Sequence, residues 1–164
     1  MTVAGTLAYS EDNEELSGSL SGLQAPQGED AAASAGMRVL LVEDDFADTQ
    51  LIQRALFRNP QVSDVVARNS PTLALVELSS GAIRPALIFL DIRMPGINGF
   101  QFLEEMRKIS IMDETPVVFL TSSVLGNDVG RAMQSSARDY IVKPDTFEEL
   151  ESKLDLAIRR VGPV

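Results

Sequence analysis

The chain has 164 residues, 45% apolar side chains, no Cys and no His, with 14 Lys and Arg against 24 Asp and Glu. This length suits one ordinary domain, and the missing Cys and His exclude disulfides, thiolate or imidazole metal sites and Ser-His-Asp hydrolysis, so any bound metal should be hard and oxygen-liganded. The net charge of −10 argues against nucleic acid and membranes as direct partners, and the lack of a signal peptide or membrane-spanning run favours a cytoplasmic protein.

Residues 1–36 differ in composition from the rest of the chain. They carry six acids and no Lys or Arg, so six of the ten net negative charges lie there, and large apolar residues are few. Such a segment cannot bury enough apolar surface to order itself. We therefore expect an acidic, disordered extension over residues 1–36 and a folded domain over residues 37–164.

From Met37 onward, apolar runs of strand length alternate with stretches of helical period. Three of the runs are apolar throughout, which is typical of parallel strands covered on both faces. Five such pairs with right-handed crossovers predict an α/β fold with a doubly wound parallel sheet, whose working site lies beyond the carboxyl ends of the strands. The predicted strands are Arg38–Val42, Asp64–Ala67, Ala86–Leu90, Val117–Leu120 and Tyr140–Val142.

Polar side chains follow four of these strands directly. The first strand leads into Glu43, Asp44 and Asp45, and the third ends at Asp91. Asp45 is well explained as the cap of the following helix, but Glu43 and Asp44 need a cation nearby. The fourth and fifth strands end at a hydroxyl and an ammonium, respectively those of Thr121 and Lys143.

These residue types together favour phosphoryl chemistry. Converging carboxylates suit Mg²⁺, and a hydroxyl and an ammonium beside them can stabilise the oxygens of a phosphoryl group in transfer. Asp91 can then act as the nucleophile, because a carboxylate that attacks phosphorus forms an acyl phosphate. Each residue taken singly is more often a cap or a solvated charge, but five of them at four strand ends make coincidence an unsatisfactory explanation.

Four motifs, in this order and spacing, resemble the receiver domain of bacterial two-component response regulators over about Arg38–Ile158. The motifs are V-E-D-D (42–45), L-D-I-R-M-P-G-I-N-G (90–99), V-V-F-L-T-S-S (117–123) and Y-I-V-K-P (140–144). The resemblance implies a flavodoxin-like (βα)5 fold with strand order 2-1-3-4-5. A finer pattern over residues 41–52 and 120–129 resembles the small regulators paired with phytochrome-like histidine kinases.

The resemblance also implies a role for each site residue. Glu43, Asp44 and Asp91 would hold Mg²⁺, with the backbone carbonyl of Arg93 as a further ligand. Asp91 would accept the phosphoryl group from a phosphohistidine, and Thr121 and Lys143 would contact its oxygens. Thr121 and Tyr140 would form the switch, and the Lys143–Pro144 peptide is commonly cis in the family.

The absence of histidine places the chain on the receiving side of this transfer, so the donor would be a histidine kinase or a phosphotransfer protein. The short sequence after the last motif resembles the single-domain members of the family. We expect phosphorylation to alter partner binding through the fourth helix (about Asn127–Ser135), the fifth strand and the last helix. The last helix is also the candidate face for a homodimer, although its outward charges equally suit a solvated surface; they are those of Glu148, Glu151, Lys153 and Asp155.

Two other functions fit parts of the pattern. An aspartyl-nucleophile phosphatase of similar fold would need an acid two residues after Asp91, where the sequence has Arg93. A degenerate receiver would bind partners without phosphate, but the complete set of acids, Thr and Lys argues against it. The sequence therefore favours a phosphoacceptor switch that catalyses only its own phosphorylation and dephosphorylation.

Overall fold

A computed structural model describes residues 36–109, 112, 114–122 and 126–162. The acidic extension expected over residues 1–36 therefore lies outside the described residues, apart from Gly36. Five strands alternate with five helices. The strands are β1 (Met37–Val42), β2 (Val62–Arg68), β3 (Leu87–Asp91), β4 (Val117–Thr121) and β5 (Asp139–Val142). The helices are α1 (Phe46–Leu56), α2 (Pro71–Ser80), α3 (Gly99–Arg107), α4 (Gly126–Gln134) and α5 (Phe147–Val161).

The strands form one parallel sheet in the order β2-β1-β3-β4-β5. Both the α/β class and the predicted order are confirmed, and each strand begins and ends within two residues of its predicted bounds. All residues of β3 and β4 are buried, as their continuous apolar sequences predict. The order reverses at β1 and β3, so the crevice expected of such a sheet opens at their carboxyl ends.

The core has two layers, one on each face of the sheet, because successive strand residues point to opposite sides. Leu40 and Val42 pack with α2, α3 and α4, whereas Val39 and Leu41 pack with α1 and α5. No helix in the described part of the chain is long and apolar enough to cross a membrane.

Side-chain caps fix the starts of four helices. Asp45 caps α1 by accepting a hydrogen bond from the Asp48 N–H at 2.9 Å, as predicted, and Ser70 and Thr146 cap α2 and α5. At α3 the Asn98 side chain accepts from the N–H of Gln101, and the Gln101 side chain accepts from the N–H of Asn98. This reciprocal capping box holds the loop that joins Asp91 to α3.

Candidate functional site

The carboxyl edge of the sheet brings together the residues that the sequence predicts. Strand register aligns Val42 with Leu90, Asp91 with Leu120, and Thr121 with Val142. The polar residues at or just after these strand ends therefore share one edge. They are Glu43, Asp44, Asp91, Thr121 and Lys143.

Three of these residues form an acidic group with the dimensions of a small cation site. One carboxylate oxygen each from Glu43, Asp44 and Asp91 lies within 4.8 Å of the others, and no other such group of three occurs in the residues that the structure describes. Oxygen ligands around Mg²⁺ stand about 3 to 4 Å apart, so the three carboxylates are close enough together to share one such cation. Glu43 and Asp91 are buried whereas Asp44 is exposed, which leaves an open side for waters and a phosphate oxygen.

Lys143 lies inside this acidic group. Its ammonium donates to Glu43 Oε2 at 2.6 Å and lies 3.2 Å from Asp91 Oδ1, with the side chain only 11% exposed. The functional interpretation of Lys143 thus agrees better with the geometry than a solvated turn does. The ammonium offsets part of the repulsion between carboxylates that burial brings together.

A fourth acid, Asp48, was missed by the sequence reasoning. Its carboxylate accepts a hydrogen bond from the Lys143 ammonium at 2.7 Å, about as close as Glu43. In the sequence Asp48 is simply an acid in the first turn of a helix, where the helix dipole alone explains it. The contact depends on how α1 lies against the end of β5, which the spacing of residues does not encode. We call Glu43, Asp44, Asp48, Asp91 and Lys143 the sheet-edge cluster.

Burial and mutual charge shift the pKa values of this cluster. Burial raises the pKa of Glu43 to about 7, although the hydrogen bond from Lys143 opposes the rise. Burial likewise raises the pKa of Asp91, against the charge of Lys143. For Lys143, burial disfavours the charge, but hydrogen bonds to Asp48 and Glu43 and the charge of Asp91 outweigh it, so its pKa lies above the ordinary value. The edge of the sheet is thus an anionic pocket that favours a cation.

Arg93 connects the acceptor position to another helix. Its backbone N–H donates to Asp91 Oδ2 at 3.0 Å, which orients one carboxylate oxygen. Its guanidinium extends away to Asp128 in the first turn of α4, with Nη2 at 2.9 Å and Nε at 3.1 Å from the same oxygen. The resemblance implied a ligand role for the carbonyl of Arg93, and the residue type suggested that its side chain contacts or shields a phosphoryl group; the sequence did not indicate the ion pair with Asp128.

The two residues expected to form the switch differ in depth. Thr121 is the last residue of β4 and is 1% exposed, and its carbonyl accepts from the Lys143 N–H at 2.8 Å. Tyr140 is half-buried on β5 and packs against the core layer that contains α4. One expectation is wrong: no cis peptide bond occurs among the described residues, so Lys143–Pro144 is trans, the form that an X–Pro bond intrinsically favours.

Gly99 allows α3 to start directly beside the acceptor. A Cβ at this position would lie 2.5 Å from the carbonyl oxygen of Asp91 and 2.9 Å from the Cα of Ile92. The Gly99 N–H donates to the Ile92 carbonyl at 2.9 Å, which closes the loop. Glycine therefore matters here because another segment of backbone approaches closely.

A parallel five-stranded sheet with acids after β1, an acid ending β3 and a lysine after β5 is the arrangement of a receiver domain. The family model described as "Response regulator receiver domain" matches residues 39–155. The chain belongs to this family, whose members work in two-component systems with histidine kinases or phosphotransfer proteins.

Comparison with known proteins extends this result. The chain is 34% identical over 126 residues to the transcriptional regulatory protein HprR of Escherichia coli, covering 76% of this chain and 52% of that protein. It thus spans about half the length of the curated relative. Among solved structures it is similar to the phosphorylated cyanobacterial phytochrome response regulator RcpA, with 26% identity, a TM-score of 0.68, and coverage of 77% and 94% of the two chains.

A second solved structure bears on the acidic group. The receiver domain of the sensor histidine kinase PA1611 from Pseudomonas aeruginosa PAO1 is 27% identical, with a TM-score of 0.64 and coverage of 79% of this chain and 100% of that one. Its crystal structure contains a magnesium ion coordinated in the active-site cleft.

Proposed function

We propose that this chain is a phosphoacceptor switch in which Asp91 receives a phosphoryl group from a phosphohistidine of a histidine kinase or phosphotransfer protein. The observation that carries the proposal is the position of Asp91. It is 4% exposed, belongs to the acidic group, and has the Lys143 ammonium 3.2 Å from one of its oxygens. A buried carboxylate held beside a cation at the carboxyl edge of a parallel sheet is suited to attack on phosphorus.

Glu43, Asp44 and Asp91, with the backbone carbonyl of Arg93, would hold Mg²⁺. The ion would supply positive charge to the incoming phosphoryl oxygens. Support comes from the all-oxygen donor set, from the exposed position of Asp44 and from the magnesium ion in the PA1611 receiver domain. Since Glu43 is protonated more readily than an ordinary carboxyl, metal binding should strengthen as the pH rises through 7.

The chain's own residues then divide the transfer between them. An oxygen of Asp91 attacks phosphorus, the new P–O bond forms as the P–N bond of phosphohistidine breaks, and the imidazole nitrogen keeps the electron pair of that bond. The Arg93 N–H holds the other Asp91 oxygen, which leaves Oδ1, the oxygen nearer Lys143, for the attack. Lys143 and Thr121 would bind the oxygens of the transferred group.

The same contacts can report phosphorylation to the surface. A phosphoryl group adds about −1.5 to −2 charges beside Lys143, and Thr121 would move toward it from the end of β4. Tyr140 lies one strand away, with Phe119 as its neighbour in the sheet, and would follow into the space vacated. This shift between two populated states would change partner binding at α4, β5 and α5. A homodimer through α5 is one such outcome.

The two alternatives gain no support from the geometry. A phosphatase would need an acid at position 93, and the Arg93 side chain instead pairs with Asp128. A degenerate receiver, which would bind partners without phosphate, does not require Glu43, Asp91 and Lys143 to be buried against each other. The chain's enzymatic activity would therefore be limited to its own phosphorylation and dephosphorylation.

Incubation with acetyl phosphate and Mg²⁺, followed by intact mass measurement, tests this function. Wild type should gain the mass of one phosphoryl group, and EDTA should prevent the gain. Asp91→Asn should show no adduct, whereas the matched variant Asp145→Asn, which removes an exposed acid just after Lys143, should be modified like wild type. Absence of the adduct in wild type, or its survival in Asp91→Asn, would overturn the proposal.

A further inference from the structure

Lys143 supplies the positive charge of the sheet-edge cluster. Its ammonium donates to Glu43 Oε2 at 2.6 Å and to Asp48 Oδ2 at 2.7 Å, and it lies 3.2 Å from Asp91 Oδ1. An ammonium has three N–H donors, so these three acids account for all of them. Two of the three, Glu43 and Asp91, also belong to the acidic group that would hold Mg²⁺.

Mg²⁺ and Lys143 therefore compete for the same two carboxylates. A divalent ion bound by Glu43 and Asp91 would take up their charge and repel the nearby ammonium. The Lys143 side chain is only 11% exposed, so an ammonium left there without an acceptor would be poorly solvated. Unless another anion holds the ammonium, Mg²⁺ binding either expels Lys143 from the cluster or strands its charge.

Asp48 is the acceptor of Lys143 that lies outside the acidic group. It belongs to the first turn of α1, where its N–H donates to the Asp45 carboxylate at 2.9 Å, so the base of the side chain is fixed by the helix cap. Its carboxylate is 36% exposed and is not one of the three that converge within 4.8 Å. Asp48 can thus stay bound to Lys143 while Glu43 and Asp91 turn to a metal ion.

We propose that Asp48 is a positioning residue that keeps Lys143 inside the sheet-edge cluster when Mg²⁺ binds to Glu43, Asp44 and Asp91. The proposal rests on the proposed function, since it takes these three acids as the metal ligands. Lys143 would give up Glu43 and Asp91 and keep its 2.7 Å hydrogen bond to Asp48. The ammonium would then remain at the end of β5, available to an incoming phosphoryl oxygen.

Two simpler explanations of Asp48 differ from this one in what they require of Lys143. The helix dipole favours an acid in the first turn of α1 whether or not a lysine touches it. A further negative charge near the carboxylates would attract Mg²⁺ directly, again without Lys143. The contact itself joins residues 95 positions apart in the chain and is about as short as the contact with Glu43. The tests therefore follow Lys143.

The first test measures how accessible the Lys143 amine is, by brief labelling of the full-length protein with acetic anhydride and peptide mass spectrometry. In wild type, Lys143 should be labelled slowly with and without Mg²⁺, whereas Lys108, which is 68% exposed, gives the rate of an open amine. In Asp48→Asn, Mg²⁺ should raise the labelling of Lys143 about threefold to tenfold, the scale of one partly exposed, charge-assisted hydrogen bond.

Two variants serve as controls for this labelling. Asp48→Glu keeps the carboxylate and should protect Lys143 as wild type does. Asp145→Asn removes an exposed acid two residues after Lys143 and should also behave like wild type. If Mg²⁺ leaves the labelling of Lys143 unchanged in Asp48→Asn, or raises it equally in wild type, Asp48 does not hold the lysine and the proposal is overturned.

The second test measures Mg²⁺ affinity by isothermal titration calorimetry at constant pH and ionic strength. Asp48→Asn should weaken binding about threefold to tenfold, because the ammonium loses its remaining acceptor when the metal ion binds. In a Lys143→Met background no ammonium needs to be held, so the same substitution should change the affinity by less than about twofold. A larger weakening in that background would mean that Asp48 acts through its charge alone, which contradicts the proposal. The labelling test decides the question if the Lys143→Met protein does not fold.

The outcomes separate this inference from the proposed function. If wild type binds Mg²⁺ and gains the phosphoryl adduct at Asp91, the proposed function stands whatever the Asp48 variants do. If Asp48→Asn then matches wild type in both labelling and affinity, this inference alone fails. If wild type binds no Mg²⁺, both fail.

Discussion

The sheet-edge cluster and the interface between α1 and α5 both join charged residues that lie far apart in the chain, but at different depths. In the cluster, Lys143 is 11% exposed and Glu43 1% exposed. We call the interface the α1–α5 seam and define it by Arg54, Arg58, Asn59, Phe147, Glu151 and Asp155. In this seam Arg58 is 50% exposed and pairs with Glu151 at 3.2 Å. The first arrangement crowds like charges out of water, whereas the second pairs opposite charges within it.

This difference shows which charges serve the fold. The seam pairs Asn59 with Asp155 at 2.7 Å and places two guanidinium groups about 5 Å from the centre of the Phe147 ring, so each contact joins complementary groups. The cluster instead holds four acids against one lysine, and burial raises the pKa of both Glu43 and Asp91. Such an arrangement reduces the stability of the metal-free protein, which is expected when residues are placed for chemistry rather than packing.

The largest expected effect is that of Lys143→Met. Loss of the ammonium leaves Glu43, Asp48 and Asp91 without their shared cation, so the free energy of unfolding at pH 7.5 in EDTA should fall by about 4 kcal/mol. Urea unfolding measures this change. Lys108→Met is the matched control, since Lys108 is 68% exposed and pairs with Glu105, and it should change stability by less than about 1 kcal/mol. Equal effects of the two substitutions would remove the distinction between buried cluster and exposed pairs.

The second-largest expected effect is the change in stability with pH that Glu43 causes. Its folded-state pKa of about 7 lies above the value of 4.5 expected when unfolded, so the folded protein binds this proton more tightly. Protonation therefore stabilises the fold: the contribution is fully present below pH 4.5 and is lost as the pH rises through 7, amounting to about 3 kcal/mol. Urea unfolding in EDTA from pH 5 to pH 8 should show a difference between wild type and Glu43→Gln that grows with pH over this window. Parallel curves would contradict the assignment.

The third-largest expected effect is the loss of stability in Gly99→Ala. The added methyl would meet the Asp91 carbonyl at 2.5 Å, and because both sides are backbone, α3 must shift from the acceptor loop, at a cost of about 2 kcal/mol. Gly130→Ala is the control, because a Cβ there meets nothing within 4 Å and alanine favours the interior of α4. Urea unfolding should place the two variants on opposite sides of wild type, and agreement between them would show that the loop is not tightly packed.

The sequence was sufficient to predict the strands that carry the site, but not all of the charged contacts within it. Apolar runs with polar ends predicted the strands, and parallel strands necessarily bring Glu43, Asp91, Thr121 and Lys143 to one edge. Asp48 and Asp128 could not be found in this way, because their contacts depend on how α1 and α4 lie against the loops. Glu151 and Asp155 were expected to point outward from α5, but they pair with Arg58 and Asn59 across the seam. Helix periodicity predicts which residues share one face of a helix, but it does not predict which residues that face contacts.

The smallest expected effect is the coupling between Arg58 and Glu151 in the α1–α5 seam. A double-mutant cycle with Arg58→Gln and Glu151→Gln should give a coupling of about 0.5 kcal/mol at low salt, since both side chains remain partly in water. Salt at about 0.5 M should remove most of it by screening. Arg58→Gln alone should cost more than Glu151→Gln, because only the arginine also covers the Phe147 ring. If the coupling reached the scale of Lys143→Met and resisted salt, the seam would be as shielded from water as the cluster, and exposure would no longer explain why the two regions differ.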